Sequence, residues 1–311
     1  MIDIFNIPNN LHSNQIFYTT ASGATNQWQI WNKPSGCNFV FFTVIGGGGA
    51  GGSGTNNTGA SATAGAGGGG SSSITKGFFS AINLPDTLYI QVGAGGSTNR
   101  TSGGAGNNGS LSYVSVLPNT TSINILLQSG AVAAFGGTGA GTGARNGGVG
   151  GTVFTSTILS SLGIIESEAG QQGGTGGNGT NGGNVTMLSI LSGGPGGAGT
   201  DTNGDGRGFL GGNIICSGFV RTISGGTATN PGASTGGTGN NYLTLIPTIN
   251  LSNSLPFFSS GGSGGGSGNV GGSGANGNYG SGGGGAGNAR TAVVNNFGGR
   301  GGDGIVIITC I

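Results

Sequence analysis

The chain has 311 residues, 80 of them glycine, with eight basic and seven acidic residues and a formal net charge of +1. So little charge excludes a basic stripe for nucleic acid and a basic cluster for anionic lipid. With 33% hydrophobic residues the chain also departs from the charged, poorly hydrophobic profile of disorder, and the absence of a persistent Gly-X-Y triplet excludes collagen.

In chain order, residues 1–7 lack both a basic start and a long apolar core, so no secretory signal peptide is expected. No run is long enough to suggest a membrane span. Short apolar runs, rich in β-branched and aromatic residues and bounded by Gly, Asn or Pro, predict strands at 39–45, 87–92, 111–117, 123–127, 152–159, 185–191, 213–220, 242–251 and 305–311. Helical spacing of Ile158, Leu159, Leu162 and Ile165 suggests one short helix near 159–168, weakened by Gly163. Trp31 and the run 39–42 read as core. Cys37, Cys216 and Cys310 are an odd, widely spaced set, expected to be reduced and buried.

The glycine tracts between these runs, such as 46–52, 173–183 and 261–266, are too extensive to be linkers inside a compact domain. Glycine in regular structure costs about 0.5–1 kcal/mol relative to alanine. The compensating arrangement is polyglycine II: an extended helix with three residues per turn and no internal hydrogen bonds. Its peptide groups point sideways, and without side chains neighbouring helices can approach and bond laterally. The fold class predicted is therefore all-β, with sandwich-like strands interleaved with polyglycine II helices and little or no α-helix. Residues 1–35 are expected to form an attachment segment with the first strands, and residues 36–311 the glycine-rich domain. The rival is a disordered, elastin-like matrix protein.

Motifs for chemistry are sparse. Gly46-x-Gly48-x-x-Gly51 follows a predicted strand, but no helix pattern follows it and the next acidic residue, Asp86, is about twice as far away as a dinucleotide site requires. Asp201-x-Asn203-x-Asp205-Gly206 has the oxygen spacing of a calcium loop, yet position twelve is Gly212 instead of glutamate. Asp201, Asn203 and Asp205 are thus a weak calcium candidate beside the simpler reading of an Asx-rich turn. Glu166 and Glu168 would share one face of a strand, as paired carboxylates of a glycosidase do, but their surroundings read as a solvent-facing strand end. His12 is the single histidine, which disfavours a zinc site or a catalytic triad. Arg300 and Asp303 read as a structural pair. No enzymatic activity is expected, and no cofactor beyond the calcium candidate.

Aromatic residues are more suggestive. Trp28, Trp31, Tyr113, Tyr242, Phe257, Phe258 and Tyr279 can stack on sugar faces or fill protein contacts, with Trp31 better read as core. Tyr279, within Asn276-Gly277-Asn278-Tyr279-Gly280-Ser281, is flanked by small polar residues and reads as an exposed anchor. Asn276, Asn278 and Tyr279 are the candidate receptor contacts.

Four segments carry a resemblance. Phe17-Tyr18-Thr19-Thr20-Ala21-Ser22-Gly23, then Trp31-x-x-Pro34-x-Gly36, then Phe39-x-Phe41-x-x-Val44-Ile45 and its glycine run resemble the opening of the glycine-rich domain of bacteriophage tail-fibre and adhesin proteins. Gly298-Gly299-x-Gly301-Gly302-x-Gly304 followed by Ile305-Val306-Ile307-Ile308 resembles its closing strand. The resemblance spans about residues 15–311 and is compositional between its ends. It implies a virion surface protein, most directly a tail fibre or receptor-binding adhesin recognising a host surface glycan or outer-membrane protein. The alternative is a capsid-surface protein, a head fibre or decoration protein, without a receptor role. It also implies other virion proteins as partners through the N-terminal region, a host receptor, homotrimeric assembly, no nucleic acid and no membrane insertion.

Overall fold

The computed structural model describes residues 13–18, 27–55, 65–130, 135–139, 145–155, 162–176, 185–187, 210, 214–216, 272–277, 279–287 and 296–311. The fold is all-β, and the described residues contain one short helical turn, the 3-10 segment Ala81–Asn83. A five-stranded antiparallel sheet is built from β1 (Ser13–Tyr18), β3 (Phe39–Ile45), β4 (Ile74–Ser80), β8 (Gly163–Glu168) and β11 (Ile305–Cys310), in the order β1-β11-β3-β4-β8. A four-stranded antiparallel sheet contains β2 (Gln29–Asn32), β5 (Thr87–Gln91), β6 (Tyr113–Ser115) and β7 (Ile125–Gln128), in the order β2-β5-β6-β7. β9 (Val185–Met187) and β10 (Ile214–Cys216) form a parallel pair.

The two larger sheets close on a shared core. Alternation along β3 and β5 turns Val40, Phe42 and Val44 from one sheet toward Leu88 and Ile90 of the other. Trp31 on β2 meets Phe42 edge-on at 6.3 Å, and Phe42 meets Phe79 at 5.9 Å. Each large side chain buried this way contributes about 1.5–3 kcal/mol. Gly77 faces this core because a side chain there would strike Leu127, whose Cδ1 lies 2.6 Å from the position of a Cβ.

The outer sections of the sandwich differ from the sequence-based expectation at three places. Residues 163–168 form strand β8, not a helix: pairing with β4 supplies ladder bonds, and Ile165 packs against the core while Ile164 stays exposed, which together outweigh a local helical spacing. Residues 152–155 lie in no strand, although Phe154 N–H donates to Ser167 Oγ at 2.9 Å beside β8. Phe39 is 44% exposed instead of core, because it starts β3 on the face away from the second sheet and stacks on Phe78 at 5.3 Å. The expected strand at 242–251 lies outside the described residues.

Beyond one end of both sheets, the strands run on into glycine tracts that bond to each other. The tract after β3 sets the pattern. Gly47, Ala50 and Ser53 donate backbone N–H to Ser110, Asn107 and Gly104; Gly48, Gly51 and Gly54 donate to Gly302, Gly299 and Asn296; Gly49 and Gly52 donate to Gly70 and Gly67. Each third residue therefore addresses the same neighbour, the repeat of a three-residue-per-turn helix. Its carbonyls accept in turn from Gly96, Gly137 and the pair Gly283 and Ala286, so this tract is surrounded by six others. The tract before β4 repeats the pattern: Ala66, Gly69 and Ser72 donate to Ala286, Gly283 and Gly280, while Gly67 and Gly70 donate to Thr138 and Phe135. Polyglycine II packing accounts for the glycine content, since a Cβ on Gly48 would sit 2.0 Å from the Ser281 carbonyl oxygen and one on Gly51 1.9 Å from that of Gly284.

Buried serines join sheet to lattice. Ser112 Oγ donates to the Ile45 carbonyl at 2.7 Å and accepts from Gly93 N–H at 2.9 Å, while Ser112 N–H donates to Ser129 Oγ at 3.1 Å. Ser73 Oγ donates to the Ser129 carbonyl. A small hydroxyl satisfies peptide groups where the strand ladder stops and the threefold pattern starts, and takes little space.

Candidate functional site

The segment singled out around residue 279 sits where the lattice meets β1 and β11. Gly280 N–H donates to the Asp303 carbonyl and Gly277 N–H to the Arg300 carbonyl, both at 2.8 Å, so Gly277 and Gly280 lie along the tract that leads into β11. The chain turns at Tyr279 and Gly280, and Gly280 has φ +67°, a left-handed conformation that glycine adopts without strain. A side chain there would also press on Ile45.

Asn276 is exposed, and its Oδ1 accepts from Arg300 N–H at 2.8 Å. Tyr279 is half-buried, and its ring lies 6.2 Å from that of Tyr18, tilted by 44°. Tyr18 is 45% exposed at the end of β1, where the β1–β11 register sets it opposite Ile305, and its carbonyl accepts from Gln29 Nε2 at 2.8 Å. Burial, then the neighbouring Tyr18 and Asp303, raises the Tyr279 phenol above its ordinary value. Asn278 lies outside the described residues.

Arg300 and Asp303 form the expected pair, Nη2 to Oδ1 at 2.5 Å. The same Oδ1 accepts from Gly95 N–H at 2.8 Å, which ties the carboxylate to the lattice. Arg300 Nε is buried without a hydrogen-bond partner. The arrangement brings together two phenol rings, the exposed Asn276 and the Arg300–Asp303 pair. Those groups suit stacking and hydrogen bonding, and the one carboxylate among them is already engaged by two donors.

Other candidates fall elsewhere. Asp201, Asn203 and Asp205 lie outside the described residues, as does His12. Among the described residues no cluster of three or more His, Cys, Asp or Glu side chains is placed to hold a metal, and no helix is long and apolar enough to cross a membrane. Glu166 and Glu168 stand on β8, with Glu166 exposed and directly opposite Lys76 on β4. Burial lowers the Lys76 ammonium below its ordinary value, opposed by Glu168 and then Glu166; the carboxylates act as its counter-charges. Cys37 is half-buried with a free thiol whose Sγ approaches the Phe39 carbonyl at 3.3 Å, and Cys310 is buried in the core.

Sequence reasoning missed Tyr18 as a partner of Tyr279, and nothing local could reveal it: the two rings meet only because β1 pairs with β11. At the opposite end of the same sheet, Phe39, Ile82 and Ile311 are exposed and line a shallow pocket of about 510 Å³ with Cys37, Asn38 and Ser80.

A family model for the glycine-rich domain matches residues 20–310. The chain belongs to that glycine-rich domain family. No curated protein matches it.

Proposed function

We propose that this chain is a virion surface protein, a tail fibre or receptor-binding adhesin that recognises a host surface glycan or outer-membrane protein through the patch at Tyr18, Asn276 and Tyr279. The supporting observation is the mounting of that patch. Tyr279 stands at a turn beside Gly280, whose N–H, like that of Gly277, is hydrogen-bonded to the tract leading into β11, so an aromatic anchor is held in place by backbone bonds. Pre-organised anchors of this kind lose little entropy on binding. Low charge and abundant Ser, Thr and Asn fit a neutral, hydrated ligand.

In this reading the protein binds and does not catalyse. The exposed apolar end at Phe39, Ile82 and Ile311 suits attachment to other virion proteins, the N-terminal region joins it to the particle, and three copies assemble. Light scattering on the purified protein tests the trimer. Immunogold labelling of particles tests the location: gold on fibre tips supports the adhesin, gold confined to the capsid shell supports a capsid-surface protein, and unlabelled particles reject both. Adsorption to host cells that survives Tyr279→Ala and Tyr18→Ala together would reject this patch as the receptor contact.

A further inference from the structure

The four-stranded sheet carries a second aromatic surface on its outer face, distinct from the patch at Tyr279. The β5–β6 register pairs Gln91 with Tyr113, and the β6–β7 register pairs Tyr113 with Gln128. Gln29 pairs with Ile90 on β2 and β5, so Trp28, one residue earlier, falls beside Gln91. One row across the sheet therefore reads Trp28, Gln91, Tyr113, Gln128. None of these four belongs to the buried core, whereas Ile90, Val114 and Leu127, their inward neighbours, all do.

Trp28 and Tyr113 lie two strand spacings apart, about 9.5 Å, yet their ring centroids are 6.5 Å apart with a tilt of 43°. The rings lean together over Gln91. Gln91 Oε1 is buried there and has no hydrogen-bond partner. A buried acceptor left unpaired is costly, and native structures seldom leave one without a reason. Trp28 precedes β2 and takes no part in its ladder, so its ring can swing on its side-chain torsions without breaking the sheet. Tyr89 and Ile30 pair in the next outward row, with Ile30 59% exposed. The outward positions of these rows carry no charge. The nearest ion pair of this sheet, Lys33–Asp86 at 2.9 Å, lies beyond its far end.

We infer that this row is a binding site for a neutral saccharide: the Trp28 and Tyr113 rings stack on the C–H face of a pyranose while Gln91 Oε1 accepts from one of its hydroxyl groups. Aromatic faces and amides are the side chains that match the alternating apolar and hydroxyl surfaces of a sugar. A phosphorylated or sulfated ligand would need a cationic partner, which the row lacks. The inference rests on the host-surface reading only for the source of the sugar.

Fluorescence titration of the purified full chain tests it. Of the two tryptophans, Trp31 is buried in the core, so a ligand-dependent change reports on Trp28. The probes are maltohexaose, cellohexaose, mannohexaose and a heparin hexasaccharide as the charged control. At least one neutral hexasaccharide is expected to give a saturable change that Trp28→Phe removes from the spectrum. Gln91→Leu is expected to weaken that binding by about tenfold, the worth of one buried hydrogen bond, and Trp28→Ala to abolish it, with thermal unfolding verifying the fold of each variant. Tyr279→Ala is expected to leave it unchanged, which separates this site from the receptor patch. Absence of saturation by every neutral probe would overturn the inference. So would equal binding by the heparin probe, or wild-type affinity in both Gln91→Leu and Trp28→Ala.

Discussion

The Ser112 hydroxyl donates to the Ile45 carbonyl across 2.7 Å, at the point where β3 ends and its glycine tract begins. It accepts at the same time from Gly93 N–H, where the chain leaving β5 makes the same transition. One buried oxygen therefore holds two chains that are changing from ladder bonding to threefold bonding. Ser112→Ala leaves the Gly93 N–H unpaired and takes one of two donors from the Ile45 carbonyl, which β11 also bonds, and is expected to destabilise by about 1–3 kcal/mol, the cost of one orphaned group. Denaturant unfolding measures it. A loss below 0.5 kcal/mol, roughly the scale of a surface substitution, would show that the junction does not depend on this hydroxyl.

Lattice glycines are expected to be intolerant in a way that depends on position. Gly51→Ala puts a Cβ 1.9 Å from the Gly284 carbonyl oxygen, a clash relieved only by separating two tracts. A loss above about 4 kcal/mol, or failure to fold, is expected. Ala50, the preceding residue, is buried and already carries a Cβ. Ala50→Gly should therefore cost only about 1 kcal/mol. Equal costs at the two positions, read from paired thermal melts, would contradict the lattice.

Hydrogen exchange distinguishes the lattice from a disordered matrix. Amides of Gly48, Gly51, Gly67 and Gly70 donate to carbonyls of other tracts and should exchange as slowly as those of β3 and β11. Gly173 and Gly176, which donate to Gly148 and Arg145, should also be protected. Free exchange at these glycines would reject the packing described.

Alkaline pH should weaken the fold through tyrosine. Tyr113, by burial, and Tyr279, by burial and then Tyr18 and Asp303, both titrate above their ordinary value of 10.0. The unfolded chain then loses these protons first as pH rises. Their contribution is present in full below about pH 10 and is lost as pH climbs through the raised folded values. Tm followed from pH 8 to 12 should fall more steeply for wild type than for Tyr113→Phe or Tyr279→Phe. Parallel curves would mean that neither phenol is shifted.

Much of the architecture could be read from local pattern. The run at 39–45 matches β3 end to end, and 87–92 and 305–311 each overshoot by one residue. Those strands are apolar, β-branched and cut off by glycine, which makes their limits a local property. β4 was harder to see, since Lys76 and Gly77 interrupt ITKGFFS; each is explained only by what stands across from it, Glu166 for the lysine and Leu127 for the glycine. Helical spacing near 159–168 competes with β8 for the same reason, because the pairing of β8 with β4 is long-range.

The candidate sites divide along the same line. Asn276 and Tyr279 stood out by their polar, glycine-flanked setting, but Tyr18 and Arg300 joined them only through strand and tract pairing. Composition by itself determined that the chain would need close backbone approach, since a quarter glycine with almost no charge leaves little else to stabilise it. Which glycine faces which carbonyl was decided by tertiary structure alone. Every tract has nearly the same local sequence, so the register comes from the strands to which the tracts are joined, and the strand order β1-β11-β3-β4-β8 depends on contacts between residues far apart in the chain.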